Sequence, residues 1–138
     1  MKMMMNNEMN QAATEEFDTF ITESLQDRQS KILVSNAMVQ PDFKNNEVLG
    51  KVFWCVGYVI RPVELDDGIH TGVILFDDEG TSYSTISAGV AKIVCGWRDA
   101  KLEPTWEEPM KVWYEQKSKG QYRYYTVKVD PRARYDKE

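Results

Sequence analysis

IHTGVILFDDEGTSYSTISAGVAKIVCGW, running from Ile69 to Trp97, is the stretch whose reading decides the fold. Val73, Ile74, Leu75 and Phe76 form a short apolar run rich in strand formers. Asp77-Asp78-Glu79-Gly80 is a turn sequence with a glycine where a positive φ is needed. Ser82 to Ile86 resumes an extended pattern of hydroxyl, aromatic and β-branched residues, and Ser87 is placed to cap a helix. Val90, Ile93, Val94 and Trp97 then fall at i, i+3, i+4 and i+7, one apolar helical face, with Gly96 near its end. The stretch predicts strand, turn, strand and helix.

Further strands flank it. Leu49 to Val63 (LGKVFWCVGYVIRPV) is a long strand signal, with Gly57 marking a bulge or bend and Pro62 closing the run. Glu64 to Gly68 is an acidic loop. After the helix, Asp99 to Pro109 is a connector, Met110 to Gln116 a strand, Lys117 to Gly120 a turn, and Gln121 to Val129 a last strand. Five strands with one helix between the third and fourth is the order of the OB barrel, and a long bent first strand suits closure of a small barrel. The expected fold is therefore mainly β with one or two helices. A five-stranded OB barrel over residues 49–130 follows an N-terminal helical tail, residues 1–48, and precedes a short charged tail, residues 131–138.

In the N-terminal region, residues 1–11 are polar and Met-rich. From Thr14, a capping residue followed by acidic residues, Phe17, Phe20, Ile21 and Leu25 form a stripe that predicts a short amphipathic helix. Such a helix must dock, either on its own domain or on another copy or partner. Ile32–Val34 and Ala37–Val39 are apolar patches broken by Ser35 and Asn36, and residues 31–48 yield no assignment.

The 138 residues fit one domain, and 42% hydrophobic composition fits a packed core. The net charge of −5 conceals a gradient. Residues 64–109 carry three Lys or Arg against ten Asp or Glu, whereas residues 110–138 carry eight against four, a net of +4. Cys55 and Cys95 lie in apolar segments and read as reduced, buried thiols. With one histidine and no CxxC, no structural zinc site is expected, and no metal or other cofactor. Asp66, Asp67, Asp77, Asp78 and Glu79 all fall in predicted turns and match no calcium-loop spacing. There is no triad motif and no phosphate-binding glycine loop, so an enzyme is not expected. No window approaches a membrane span, and the N-terminus is unlike a signal peptide. A soluble protein of the cytoplasm is expected.

The last hairpin alternates cations and aromatics. Unpaired bases stack on aromatic faces for ~1–3 kcal/mol each while cations follow the phosphates. Period-two alternation puts Lys111, Trp113, Glu115 and Lys117 on one face of its first strand, and Tyr122, Tyr124, Thr126 and Lys128 on one face of its second. Met110, Val112 and Tyr114, with Tyr125, Val127 and Val129, then face the core. Candidate contacts are Lys111, Trp113, Lys117, Lys119, Tyr122, Arg123 and Tyr124, with Lys51 and Arg61 placed to meet phosphate. On the first strand, Trp54, Tyr58 and Phe53 fit core and stacking platform equally well. Trp97 reads as core and Trp106 as a plug for the barrel bottom.

Asp77–Val90 (DDEGTSYSTISAGV) and Pro104–Val129 (PTWEEPMKVWYEQKSKGQYRYYTVKV) resemble small single-stranded-DNA-binding proteins encoded by bacteriophages and some conjugative plasmids. The likeness spans roughly residues 50–129. It implies an OB fold, sequence-tolerant binding and protection of single strands in replication, recombination or transfer, and a place in the bacterial host cytoplasm. Of the family's binding hairpin, Trp113, Lys117, Lys119, Tyr122, Arg123 and Tyr124 match. The C-terminus lacks the long linker and acidic, apolar tip of the bacterial housekeeping version. The expected partner is single-stranded DNA, with RNA open, no membrane, and self-association through Phe17, Phe20, Ile21 and Leu25. The competing reading is an OB-type protein-interaction module without nucleic-acid affinity.

Overall fold

The computed structural model describes residues 18–136. Its strands are β1 (Phe20–Ile21), β2 (Phe43–Lys44), β3 (Phe53–Leu65), β4 (Gly68–Asp77), β5 (Ser82–Thr85), β6 (Met110–Lys119) and β7 (Tyr122–Val129). The two α-helices are α1 (Arg28–Val39) and α2 (Ala88–Asp99). The strands form one curled sheet in the order β2-β5-β4-β3-β6-β7, with β1 added beside β3.

β3 organises the sheet. One edge pairs with β4 from Cys55 opposite Asp77 to Leu65 opposite Gly68. The other edge serves β6 at Phe53–Cys55 and β1 at Val59–Ile60. A register shift between Cys55 and Gly57 is the bulge that Gly57 announced. A side chain at Gly57 would sit 2.6 Å from the Leu25 side chain and 2.7 Å from the Ser24 and Thr22 hydroxyls, so the glycine lets the N-terminal segment lie against the strand. Thr22 N–H donates to the Tyr58 carbonyl, and Tyr58 N–H donates to the Thr22 hydroxyl, both at 3.1 Å.

The sheet buries both faces of its centre. Inside the curl, Tyr58, Ile60, Leu75, Tyr83, Val112, Tyr114 and Val127 pack with Val90, Val94 and Trp97 of α2. The helix is capped by Ser87, whose side chain accepts from Val90 N–H. Burial pushes the Cys55 thiol up to about 12, so it stays protonated and inert. On the outside of the curl, Val56, Val59, Ile74 and Phe76 are covered by Leu25, Val34 and Ala37 of the N-terminal segment.

That segment differs from the expected helical tail. From Asp18 onward it is part of the packed body. Phe20 and Ile21 are a strand, Glu23–Leu25 is a 3₁₀ turn, and Leu25 is fully buried. A short helix is marginal without tertiary packing, and here pairing with β3 and burial of Leu25 override the helical spacing. Leu25 is thus buried in its own chain and Phe20 and Ile21 are half-buried against it, whereas Phe17 lies outside the described residues. The helix instead occupies Arg28–Val39, capped by Asp27, which accepts from Ser30 N–H at 3.2 Å. Trp106 is not a plug inside the curl. It packs on the outer cluster and donates to the Ser24 carbonyl at 3.0 Å, while Trp97 and Tyr58 close the inner core. No helix among the described residues is long and apolar enough to cross a membrane.

Candidate nucleic-acid interface

The final hairpin is longer than its sequence suggests. β6 continues through Lys119, and the turn shrinks to Gly120-Gln121, with Gly120 at φ 64°. Lys117 and Lys119, expected in a turn, are strand residues. Residues directly opposite in an antiparallel pair share a face. Lys117 is opposite Tyr124, Lys119 opposite Tyr122, and Trp113 opposite Lys128. Lys111 lies opposite Trp54 of β3. One outer face therefore carries Trp54, Lys111, Trp113, Lys117, Lys119, Tyr122, Tyr124 and Lys128, while Val112, Tyr114 and Val127 fill the inside.

The tyrosines at the tip are exposed, Tyr122 at 67% and Tyr124 at 37%, with ring centroids 5.9 Å apart and planes inclined by 24°. Aromatic rings held this way leave flat surface for a third ring. Trp113 is half-buried and fixed: its indole N–H donates to Glu115 Oε2 at 2.7 Å, and Glu115 Oε1 lies 3.3 Å from Lys117 Nζ. The Trp113 hydrogen bond, helped by Lys117, holds the Glu115 carboxyl below its ordinary range. A shallow depression of about 670 Å³ runs beside Trp113 between Lys111, Lys117 and the loop Leu49–Val52.

The other candidates divide. Trp54 meets Tyr135 edge-on at 5.0 Å, and the Tyr135 hydroxyl donates to Asp78 Oδ2 at 2.9 Å, so the C-terminal segment covers part of that indole. Lys51 stands with its ammonium 5.7 Å from the Phe43 ring centroid and 5.5 Å from that of Tyr83, a cation–π arrangement. Tyr58 is not a stacking platform. It is fully buried between Phe20 and Trp97, its hydroxyl donating to the Leu102 carbonyl at 2.9 Å. The bulge at Gly57 turns it inward. Phe53 is core as well, stacked on Tyr83 at 4.1 Å.

Arg123 lies on the opposite face of β7 from Tyr122 and Tyr124. With Arg61 it lines a groove of about 560 Å³ between the end of β5, the start of α2, and β7. Arg61 Nη1 donates to the Met38 carbonyl at 3.1 Å, and burial lowers its affinity for the proton.

No family model, curated protein or solved structure matches this chain. The site thus rests on its own geometry. Among the described residues no three His, Cys, Asp or Glu gather where a metal ion could be held. Asp77, the most buried carboxylate, is spent on the turn. Its Oδ1 accepts from Glu79 and Thr81 N–H at 2.9 Å, and its Oδ2 from the Tyr83 hydroxyl at 2.7 Å. Sequence reading placed Glu115 on the right face but missed its clamp on Trp113. Spacing alone would have found it, since the two are two apart on one strand. Phe43, Asn45 and Tyr135 carried no signal in their neighbourhood.

Proposed function

We propose that this chain is a non-enzymatic, sequence-tolerant single-stranded-DNA-binding protein built on an OB-type barrel, serving replication, recombination or transfer of phage or plasmid DNA. The strand order supports the barrel reading: the long first strand pairs with the second and fourth, the second with the third, and the fourth with the fifth. The observation that carries the functional reading is the register of the last hairpin. It sets Lys117 and Lys119 directly beside Tyr124 and Tyr122 on one outer face, with Trp113 further along. Alternating rings and ammonium groups at strand spacing match the alternation of base and phosphate along an unpaired strand. The face repeats no donor and acceptor pattern suited to one base, so recognition is by stacking and charge.

Titration with oligo(dT) while following tryptophan fluorescence tests this. Trp113 is expected to be quenched, with affinity falling steeply between low and moderate salt. A duplex of equal length is expected to bind more weakly. Unchanged fluorescence together with no gel shift at low salt would overturn the reading and leave a protein-interaction module in its place.

A further inference from the structure

The groove between β5, the first turn of α2, and β7 is chemically unlike the rest of the chain. Its lining includes three cations, Lys44, Arg61 and Arg123, and no carboxylate, in a protein with 22 acidic residues. Two of its lining side chains hold orphaned donors. Asn45 is 7% exposed and its Nδ2 is buried without a hydrogen-bond partner. Arg61 Nε is likewise buried and unpartnered, and no carboxylate within ion-pair distance balances that guanidinium among the described residues. A buried donor left without an acceptor is costly. A groove of ligand size whose lining combines three cations, no carboxylate and two unmet donors is short of an anion.

We propose that this groove holds one phosphate-bearing nucleoside unit, its phosphate on Asn45 and Arg61 and its base against Tyr124. The phosphate supplies the missing charge and acceptors. The tyrosines at the hairpin tip supply the only exposed ring surface in the lining. Neither orphaned donor reaches solvent, so a side-chain rotation accompanies binding. This deepens the strand-binding reading, since Tyr122 and Tyr124 belong both to the outer face and to the groove rim. A strand lying on the hairpin would pass over the tip and seat one nucleotide in the groove.

The groove contains no tryptophan, so it can be read separately from the outer face. The test follows the Arg61 Nε–H and Asn45 amide signals in ¹⁵N–¹H spectra of the full chain during titration with thymidine 5′-monophosphate, thymidine and inorganic phosphate. The expected result is a saturable shift of both signals with the monophosphate and none with thymidine. An equal response to inorganic phosphate at the same concentration overturns the nucleoside part. Silence of both signals to all three probes overturns the site, while oligo(dT) quenching of Trp113 would still stand. Arg61→Lys keeps the charge and loses Nε; it is expected to weaken the monophosphate about tenfold, with a lowered melting temperature from loss of the Nη1 bond to the Met38 carbonyl. Unchanged affinity in that variant likewise overturns the assignment of Arg61.

Discussion

The outer surface of the curled sheet has two halves with opposite fates. Over β3 and β4 it presents Val56, Val59, Ile74 and Phe76, and the N-terminal segment seals it. Over β6 and β7 it presents Trp113, Lys117, Lys119, Tyr122 and Tyr124, and among the described residues it stays open apart from Tyr135 over the neighbouring Trp54. Both halves follow the same period-two alternation. What differs is the side chains. Branched aliphatic groups in water are costly and recruit a cover, while amphipathic rings beside ammonium groups tolerate water and can wait for a ligand. Residues 21–38 close the aliphatic half, and the half proposed to bind single strands stays exposed at Tyr122 and Tyr124.

Leu25→Ala strikes the sealed half hardest. Leu25 is fully buried, so its truncation is expected to cost about 2–5 kcal/mol, read as a fall in melting temperature. Strand binding by the remaining folded protein should be unchanged; loss of binding without loss of stability would erase the distinction between the halves. On the open half, Trp113→Ala or Tyr124→Ala is expected to weaken oligo(dT) by about 1–3 kcal/mol with little change in salt slope. Equal affinity in both variants would place the strand elsewhere. Lys117→Ala combined with Lys119→Ala should reduce the salt slope by about 1.4, two phosphates at ~0.7 each, as measured across a salt series.

The smallest effect concerns Glu115. Its carboxyl sits below the ordinary range because the folded chain favours the carboxylate. That contribution to stability is present above the ordinary carboxylate pKa and is lost as pH falls through the lowered folded value. The same protonation frees Trp113 and Lys117. Affinity for single strands is therefore expected to rise on acidification through that range, and Glu115→Gln should show the higher affinity already at neutral pH, by less than about tenfold. A variant that binds more weakly than the parent would mean the clamp organises the face rather than restraining it.

Much of the sheet was legible because each strand signal was local. The run Val73–Phe76, the Asp77–Gly80 turn, the Ser87 cap and the Val90–Trp97 face all reappear where the spacing put them. The alternation of the last hairpin also held, which is why its outer face could be drawn residue by residue. The N-terminal region was misread because its order is tertiary. Phe20 and Ile21 fit a helical stripe but pair with Ile60 and Val59, about forty residues away. Conversely, α1 buries Ser30, Val34 and Ala37, a face too small and polar to register, while Ile32 and Val39 point outward and blur the period. The Asp27 cap was its one local signal. Tyr58 was undecidable from alternation alone, because the bulge beside it changes the phase of the strand.

At Gly89 the first turn of α2 rests directly on the Tyr125 carbonyl; a methyl group there would overlap that oxygen. Main chain abuts main chain there, so no change of rotamer can bring the start of α2 closer to β7. One added carbon at this position would have to push the helix and the strand apart.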